Sequence, residues 1–498
     1  MKILRFLGLV FFKLLICLNF SACGNDPIND IEEDFENTLI DGIPSKIPTN
    51  KIYYKTSNNV IVRLINDDVF GGAKITSNTY STTDGYGVIE FASEVTAIEN
   101  NAFKDIDYLT YIALPKSVVG IANNAFEECI NLETIRIPNS VTYIGDKAFG
   151  GCEKIVSIKL PDGIIKIGDY AFEECINLAT IELSKNITQI GDGAFYGCKK
   201  LVSIKLPDGI TQINQYTFRD CESLESINIP KGVTMIGDKA FVRCLALKTI
   251  DFPETITQIG ENVFGACVSL SSLTIPKTVT QIGYDAFYNC PNLSSIIVDN
   301  ENPIYDSREN CNALIETKAN ILLKGCNNSK IPEGVKKIDA YAFNYCKNLK
   351  EVIIPNSVTE IGKGAFYKCY GLTTVVISEN VELIETETFY NCSSLTSLTI
   401  SKGVKTIGED AFSKCSALTT ITLPESIVAV LGNAFADCNN LTKIYCKPTK
   451  IPLNMGKPFS QTTYDNCTLY VPKGTILNYK INYHGYYYWY LFKNIVEE

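Results

Sequence analysis

Residues 148–168 read Ala-Phe-Gly-Gly-Cys-Glu-Lys-Ile-Val-Ser-Ile-Lys-Leu-Pro-Asp-Gly-Ile-Ile-Lys-Ile-Gly. Counted from Phe149, apolar residues follow at positions six, nine, eleven, fifteen and eighteen, and a cysteine follows at position three. The alternation around Ile158 predicts a short β segment, which Pro161 ends because proline has no N–H to donate. A second β segment is expected at 164–167, and the residues from Ala148 onward predict a short helical or 3₁₀ turn.

This stretch is one copy of a repeat. Fourteen phenylalanines are spaced by 23 residues, except for one step of 56. They are Phe103, Phe126, Phe149, Phe172, Phe195, Phe218, Phe241, Phe264, Phe287, Phe343, Phe366, Phe389, Phe412 and Phe435. A fixed period of this length is typical of a solenoid, in which each coil buries its apolar side chains against its neighbours. We therefore predict a β-rich solenoid of 23-residue coils, each with two short β segments and one short helical or 3₁₀ turn.

The long step divides the repeats into two blocks, 99–298 and 343–445. Between them, 299–342 is expected to form one enlarged coil. Inside it, two apolar stretches, 313–316 and 321–324, flank the polar residues Thr317-Lys318-Ala319-Asn320. That arrangement predicts a β-hairpin, which would bend or project from the stack without forming a domain boundary.

The two ends of a solenoid must hide an apolar face. Residues 50–98 contain β-branched and aromatic runs, and we expect them to form a strand-rich N-terminal cap. Residues 446–498 leave the repeat and are crowded with tyrosines around Trp489. A closing lid is the favoured interpretation of these aromatics. A stacking platform for sugars is the alternative.

The N-terminal residues resemble a targeting signal. Residues 1–22 combine a basic start with a short apolar run and small residues before Cys23, which is typical of a signal peptide. The ending Phe20-Ser21-Ala22-Cys23 resembles a bacterial lipoprotein signal, which implies a lipidated Cys23 and a membrane anchor. An ordinary cleaved signal is the alternative. The acidic residues of 23–49 predict a solvated tether, which also resembles the export tag of surface lipoproteins.

Most cysteines follow the repeat. Thirteen lie three residues after a phenylalanine, at Cys129, Cys152, Cys175, Cys198, Cys221, Cys244, Cys267, Cys290, Cys346, Cys369, Cys392, Cys415 and Cys438. Stacked coils would hold their Cα–Cβ bonds parallel, which suits the S–S torsion poorly, so we expect buried free thiols. Cys311 and Cys326 are equidistant from the hairpin turn and form a candidate disulfide. No C-x-x-C pair exists, so no metal site is predicted.

Several function classes are disfavoured. The formal net charge of −10 argues against nucleic acid as a partner, because phosphate binding needs a dense cationic face. The sequence has a single histidine, His484, so no second histidine is available to complete a metal site, and no nucleophile near it suggests a catalytic site. The sequence also contains no phosphate-binding loop motif. We expect no cofactor and no enzymatic activity.

One column of residues varies along the repeat in a way that suggests binding. Ten residues after each phenylalanine, the side chain points outward from the first β segment and changes from charged to apolar. The candidate ligand-binding residues in this column are Arg136, Lys159, Glu182, Lys205, Asp251, Ile353, Val376 and Tyr445. An exposed Ile353 and Val376 would form a contact patch. The alternative is that the hairpin covers them.

The motif A-F-x-x-C-x-x-L-x-x-I-x-[IL]-P, with glycine nineteen residues after phenylalanine, resembles the BspA-like leucine-rich repeat family of bacterial surface proteins. The likeness covers about residues 50–498. It implies a surface-exposed outer-membrane lipoprotein that adheres to host matrix proteins or to other cells. Two alternatives stay open: a glycan-capturing lipoprotein of a nutrient uptake system, and a structural spacer of the envelope.

Overall fold

The computed structural model describes residues 39–64, 68–481 and 487–498. The chain divides into two compact units, Met1–Ile47 and Pro48–Glu498. In the first unit, strands Leu39–Ile40 and Ile43–Pro44 pair antiparallel. Asp41 and Gly42 between them both have positive φ, as the tightest hairpin turn requires. This stretch of the expected tether therefore contains a short hairpin.

The second unit begins with an antiparallel sheet. Strand Tyr86–Phe91 pairs with both Ile75–Ser81 and Lys51–Thr56, and Lys51–Thr56 pairs in turn with Leu109–Ala113. Leu109–Ala113 is also the first strand of the solenoid. Phe70 packs on the edge of the first ladder residue, Phe103, with ring centroids 5.8 Å apart. The apolar end of the stack is thus covered by side chains from residues preceding the repeats.

The first β segment of each coil forms a column of parallel strands, paired in register wherever neighbouring strands are bonded. Its members after Leu109–Ala113 are Thr134–Arg136, Ser157–Lys159, Thr180–Glu182, Ser203–Lys205, Ser226–Asn228, Ser272–Ile275, Ser295–Val298, Glu351–Ile353, Thr374–Ile377, Ser397–Ile400, Thr420–Leu423 and Lys443–Cys446. Asp251 joins the column through an isolated bridge to Asn228. We call the outward side of this column the first-strand face.

The second β segment forms a parallel column of two-residue strands. They are Gly120–Ile121, Tyr143–Ile144, Lys166–Ile167, Gln189–Ile190, Gln212–Ile213, Met235–Ile236, Gln258–Ile259, Gln281–Ile282, Lys337–Ile338, Glu360–Ile361, Leu383–Ile384, Thr406–Ile407 and Ala429–Val430. The second residue of each strand points into the core. The predicted pair of β segments per coil is therefore confirmed.

The third segment of each coil differs from the predicted helical or 3₁₀ turn. Around Phe149 it is a chain of turns closed by N–H donation from Ala148 to Gly145, from Gly150 to Lys147 and from Cys152 to Phe149. Lys147 and Gly151 have positive φ, which breaks a helix. Equivalent positive-φ residues lie two before and two after the phenylalanine in every other coil of the two blocks.

The phenylalanines form the centre of the core. Neighbouring rings stack with centroids 4.9–5.7 Å apart and planes within 16° of parallel, and Phe459 extends the ladder beyond Phe435. The ladder is interrupted once, between Phe287 and Phe343. The hydrophobic core divides into two clusters at the same place, around the enlarged coil.

The enlarged coil contains the predicted hairpin. Leu314–Glu316 pairs antiparallel with Ile321–Lys324, and Tyr305–Asp306 adds a third strand after which a short turn, Arg308–Asn310, follows. Ile321–Lys324 then pairs in parallel with Lys337–Ile338, so the hairpin is continuous with the column of second strands.

The thirteen repeat cysteines are buried free thiols, as predicted. Cys311 and Cys326 are also free and are not bonded to each other. The hairpin register places Glu316 opposite Ile321 but shifts by one residue between Leu314 and Ile315, so it never brings these two cysteines opposite each other. The Cys326 thiol instead donates to the Asn312 carbonyl at 3.2 Å, and the Cys311 thiol contacts the Ala313 carbonyl at 3.9 Å.

The C-terminal residues close the other end. Strands Thr468–Val471 and Asn494–Glu497 extend the first-strand column, and helices Gln461–Asn466 and Ile476–Lys480 and the 3₁₀ turn Trp489–Leu491 lie between and beside them. Trp489 is 1% exposed, lies 5.8 Å from the ring of Phe459 and donates its indole N–H to Pro452. Within the described ranges, no helix combines the length and apolar character needed to span a bilayer.

Candidate binding surface

The candidate column lies where the sequence predicts it. On the first-strand face, Lys159 pairs in register with Glu182, Lys205 with Asn228, and Ile353 with Val376. Strand pairing places such neighbours about 5 Å apart on one side of the sheet. The column is therefore one continuous outward surface on each side of the enlarged coil.

The charged part of this surface is partly self-paired. The Lys159 ammonium lies 3.0 Å from a carboxylate oxygen of Glu182, and this hydrogen bond holds the pKa of Lys159 above its ordinary value. Both side chains are largely exposed, as are Lys205 and Asp251, whereas Arg136 is half-buried. Exposed ion pairs are easily exchanged for pairs with a partner.

The apolar part begins at the enlarged coil. Ile353, which follows the enlarged coil, is 57% exposed, and Ile297, which precedes it, is 52% exposed. The hairpin therefore does not cover the column at these two positions. Val376 is half-buried, which corrects the expectation that it is as exposed as Ile353. It stands between Ile353 and Thr399 in the parallel ladder, and both neighbours flank its side chain.

A groove beside Ile353 was not foreseen. Among the described residues, the enlarged coil contributes no strand to the first-strand column between Ser295–Val298 and Glu351–Ile353. The gap holds a cavity of about 460 Å³, lined by Ile331, Phe343 and Ile353 and by the charged residues Lys330 and Glu333. The sequence signal was available: no L-x-x-I-x-I pattern occurs between 299 and 342.

The column ends in stacked aromatics. Tyr445 pairs with Tyr470 and their rings stack at 4.8 Å, while the Lys447 ammonium lies 5.5 Å from the Tyr445 ring centroid. Tyr470 was missed because it lies beyond the last repeat. The alternation of Leu469, Tyr470 and Val471 could have identified it as an outward residue.

The other candidate residues have different outcomes. Trp489 is buried in the lid, so its ring is not available as a stacking platform for sugars. Cys23 and His484 lie outside the described residues. Within those residues, no cluster of three His, Cys, Asp or Glu side chains is arranged to hold a metal ion.

This architecture, with coils that present a long outward sheet beside a groove, defines the class of leucine-rich repeat scaffolds, which bind their ligands on extended surfaces. The model of the BspA type leucine rich repeat region, in six copies, matches residues 73–202, 188–314 and 321–443. These ranges cover more than half of the chain, and the chain belongs to this family. No curated protein matches the chain at a significant level.

Several solved structures are similar to this chain. The pneumococcal vaccine antigen PcpA is 21% identical, with 88% of this chain and 99% of that chain covered and a TM-score of 0.53. A leucine-rich repeat protein from Bacteroides ovatus is 25% identical over 84% of this chain and 90% of that chain, with a TM-score of 0.46. A leucine rich cell surface protein from Faecalibacterium prausnitzii is 25% identical over 81% and 83%, with a TM-score of 0.41.

Proposed function

We propose that the protein is a non-enzymatic adhesin that binds protein ligands of the host matrix or of other cells through its first-strand face. The observation that carries the proposal is Ile353, an exposed apolar side chain on the rim of a groove of about 460 Å³. Exposed apolar side chains grouped at a concave site are typical of interaction surfaces.

Charge complements this apolar centre. Lys330 and Glu333 line the groove beside Ile353, and the column carries further exposed charges from Lys159 to Asp251. An apolar centre surrounded by charged and polar groups is the usual arrangement of a protein interface, in which the rim sets orientation and partner choice. The stacked Tyr445 and Tyr470 supply a second apolar contact further along the same face.

The proposal includes a location at the outer membrane. A signal peptide at 1–22, a lipidated Cys23 and the acidic tether to residue 49 would anchor the solenoid to the outer membrane with its binding face outward. Replacement of Cys23 by alanine is expected to release the protein from the membrane fraction. Surface proteolysis of intact cells should cleave the wild-type protein, and protection from the protease would contradict display.

The binding test is a panel of immobilised matrix proteins probed with residues 50–498. The variant Ile353→Glu places a charge at the centre of the patch and is expected to abolish binding. The matched control is Ile165→Glu, because Ile165 is similarly exposed at 52% but lies outside the first-strand face. Binding that survives Ile353→Glu, or is lost equally in both variants, would overturn the proposed surface. Absence of binding to every protein would favour the spacer.

A further inference from the structure

The turn segments of neighbouring coils are normally bonded to each other. In thirteen of the fourteen phenylalanine coils, the phenylalanine N–H donates to a carbonyl of the next coil, as Phe264 does to Ala286. Phe287 is the exception. Neither its N–H nor that of Asp285 has a hydrogen-bond partner among the residues that the structure describes. Buried backbone donors are rarely left unpaired.

A local shortening of the enlarged coil explains the opening. Leu322 pairs with Ile338, which lies five residues before Phe343. Gly325 donates to Ala342 and so takes the place that a phenylalanine has in other coils. Gly325 lies three residues after Leu322, whereas Phe343 lies five residues after Ile338. Because this segment is two residues shorter, the N–H groups of Asp285 and Phe287 in the preceding coil find no partner among the described residues.

A cavity of about 240 Å³ occupies this opening. Gly325 contributes no ring to the ladder, and Phe287 is one of the residues that line the cavity. Tyr284, Tyr288 and Tyr341 line the cavity as well, and Tyr284 is 56% exposed to solvent. The volume lies slightly below the range of about 300–1,000 Å³ typical of drug-sized ligands, so it suits a single small unit.

The cavity also holds charge. Lys324 lines it and is only 7% exposed, and its one hydrogen-bond partner among the described residues is the side-chain oxygen of Asn344 at 2.7 Å. An ammonium has three protons to donate, so two remain. The side-chain nitrogen of Asn344, which is 1% exposed, has no partner in the part of the chain that the structure describes. Asp285 and Asp339 line the same cavity and supply acceptors.

We propose that this cavity binds one neutral sugar unit of a glycan. A sugar hydroxyl both accepts and donates, so one ring can satisfy the Lys324 ammonium, the N–H groups of Asp285 and Phe287, and the two carboxylates. Its apolar face can pack on the tyrosines. A simple carboxylate would face Asp285 and Asp339, and like charges repel.

The surroundings allow a longer chain to leave the cavity. Tyr341 touches Tyr367 with ring centroids 6.2 Å apart, and Tyr367 stacks on Tyr390 at 5.1 Å. The Lys368 ammonium lies 5.0 Å from the centre of the Tyr367 ring. This line of rings runs along the turn segments. No residue that lines the cavity belongs to the first-strand column, so the glycan site is separate from the proposed protein-binding surface.

The test uses methyl glycosides of glucose, galactose, mannose and N-acetylglucosamine, with glycine and acetate as competing chemistries, in calorimetry and saturation-transfer NMR. At least one glycoside should bind the wild-type protein. Lys324→Met keeps the apolar stem and removes the ammonium, and is expected to weaken binding by about tenfold or more, as loss of a charged hydrogen bond does. Tyr284→Ala, at an exposed wall, should weaken binding without affecting folding.

Tyr143→Ala is the matched control, because Tyr143 is 39% exposed and does not line the cavity. It should bind like the wild type, as should Ile353→Glu, which tests the other surface. Thermal melting distinguishes a misfolded Lys324→Met from a folded variant that does not bind. If Lys324→Met does not fold, the binding of Tyr284→Ala tests the proposal instead. Binding of no glycoside, preference for glycine or acetate, or glycoside binding that survives both cavity variants would overturn the proposal.

Discussion

The Cys175 thiol donates a hydrogen bond to the carbonyl oxygen of Phe149, one coil back, at 3.1 Å. That oxygen already accepts the N–H of Cys152 from its own coil. Twelve of the repeat cysteines make the same contact with the preceding phenylalanine, at 3.0–3.4 Å. Each thiol thus links two coils while it fills the core as a small apolar group.

Alkaline pH should destabilise the solenoid. Burial raises the pKa of the Cys175 thiol to about 12, whereas an unfolded thiol titrates near about 8.5. Above about pH 8.5 the unfolded chain loses protons that the folded chain retains, so each such thiol lowers the free energy of unfolding by about 1.4 kcal/mol per pH unit until its folded pKa is reached. Urea unfolding between pH 8 and 10 measures this slope, and Cys175→Ala should reduce it by one thiol's share. An unchanged slope in that variant would contradict the assignment.

Every described cysteine should be a free thiol that is inaccessible to reagents in the native protein. Alkylation of the folded, unreduced protein is expected to label almost none of the seventeen, because all are buried. After denaturation without reductant, all seventeen should be labelled. Mass spectrometry distinguishes the outcomes: a pair of unlabelled cysteines at Cys311 and Cys326 would establish the disulfide that the structure does not contain.

The phenylalanine ladder should dominate stability. Phe195 is fully buried between Phe172 and Phe218, with centroid distances of 5.7 and 5.6 Å. Phe195→Ala removes both stacking contacts and leaves a cavity, so the free energy of unfolding should fall by about 3–5 kcal/mol. The nearby exposed Val202→Ala should change it by less than about 0.5 kcal/mol. Equal effects of the two substitutions in chemical denaturation would disprove a central role for the ladder.

The repeat could be predicted because its physical cause is periodic. One buried ring per coil requires the 23-residue spacing, and outward positions such as Lys159 and Ile353 follow from strand alternation. The turn segment was mistaken for a helical turn because Lys147 and Tyr170 have ordinary side chains at positive φ, where tertiary bonds to the next coil override local preference.

Local irregularities were harder to foresee. The register shift between Leu314 and Ile315 keeps Cys311 and Cys326 from lying opposite each other, although their spacing from the turn is equal. The cavity at Lys324 arises because the segment from Leu322 to Gly325 is too short, and the sequence shows only that the interval from Phe287 to Phe343 is irregular. Such features depend on which backbone hydrogen bonds fail to form, and this cannot be predicted from the residue pattern.

The C-terminal lid should depend on its one tryptophan. Trp489 packs against Phe459, Tyr479 and Phe492, and its indole N–H donates to the Pro452 carbonyl at 2.8 Å. Trp489→Phe keeps most of the packing and should cost about 1 kcal/mol for the lost hydrogen bond, whereas Trp489→Ala should cost about 3–5 kcal/mol for the cavity.

Urea unfolding followed by circular dichroism measures both variants, with Val428→Ala, at a side chain 63% exposed, as the neutral control. Because coils contact only their neighbours, the loss should be felt first at the C-terminal coils. Hydrogen exchange of Trp489→Ala is therefore expected to show faster exchange near Thr468–Val471 than near Ser157–Lys159. Uniform acceleration along the whole chain would mean that the lid and all coils unfold as one unit.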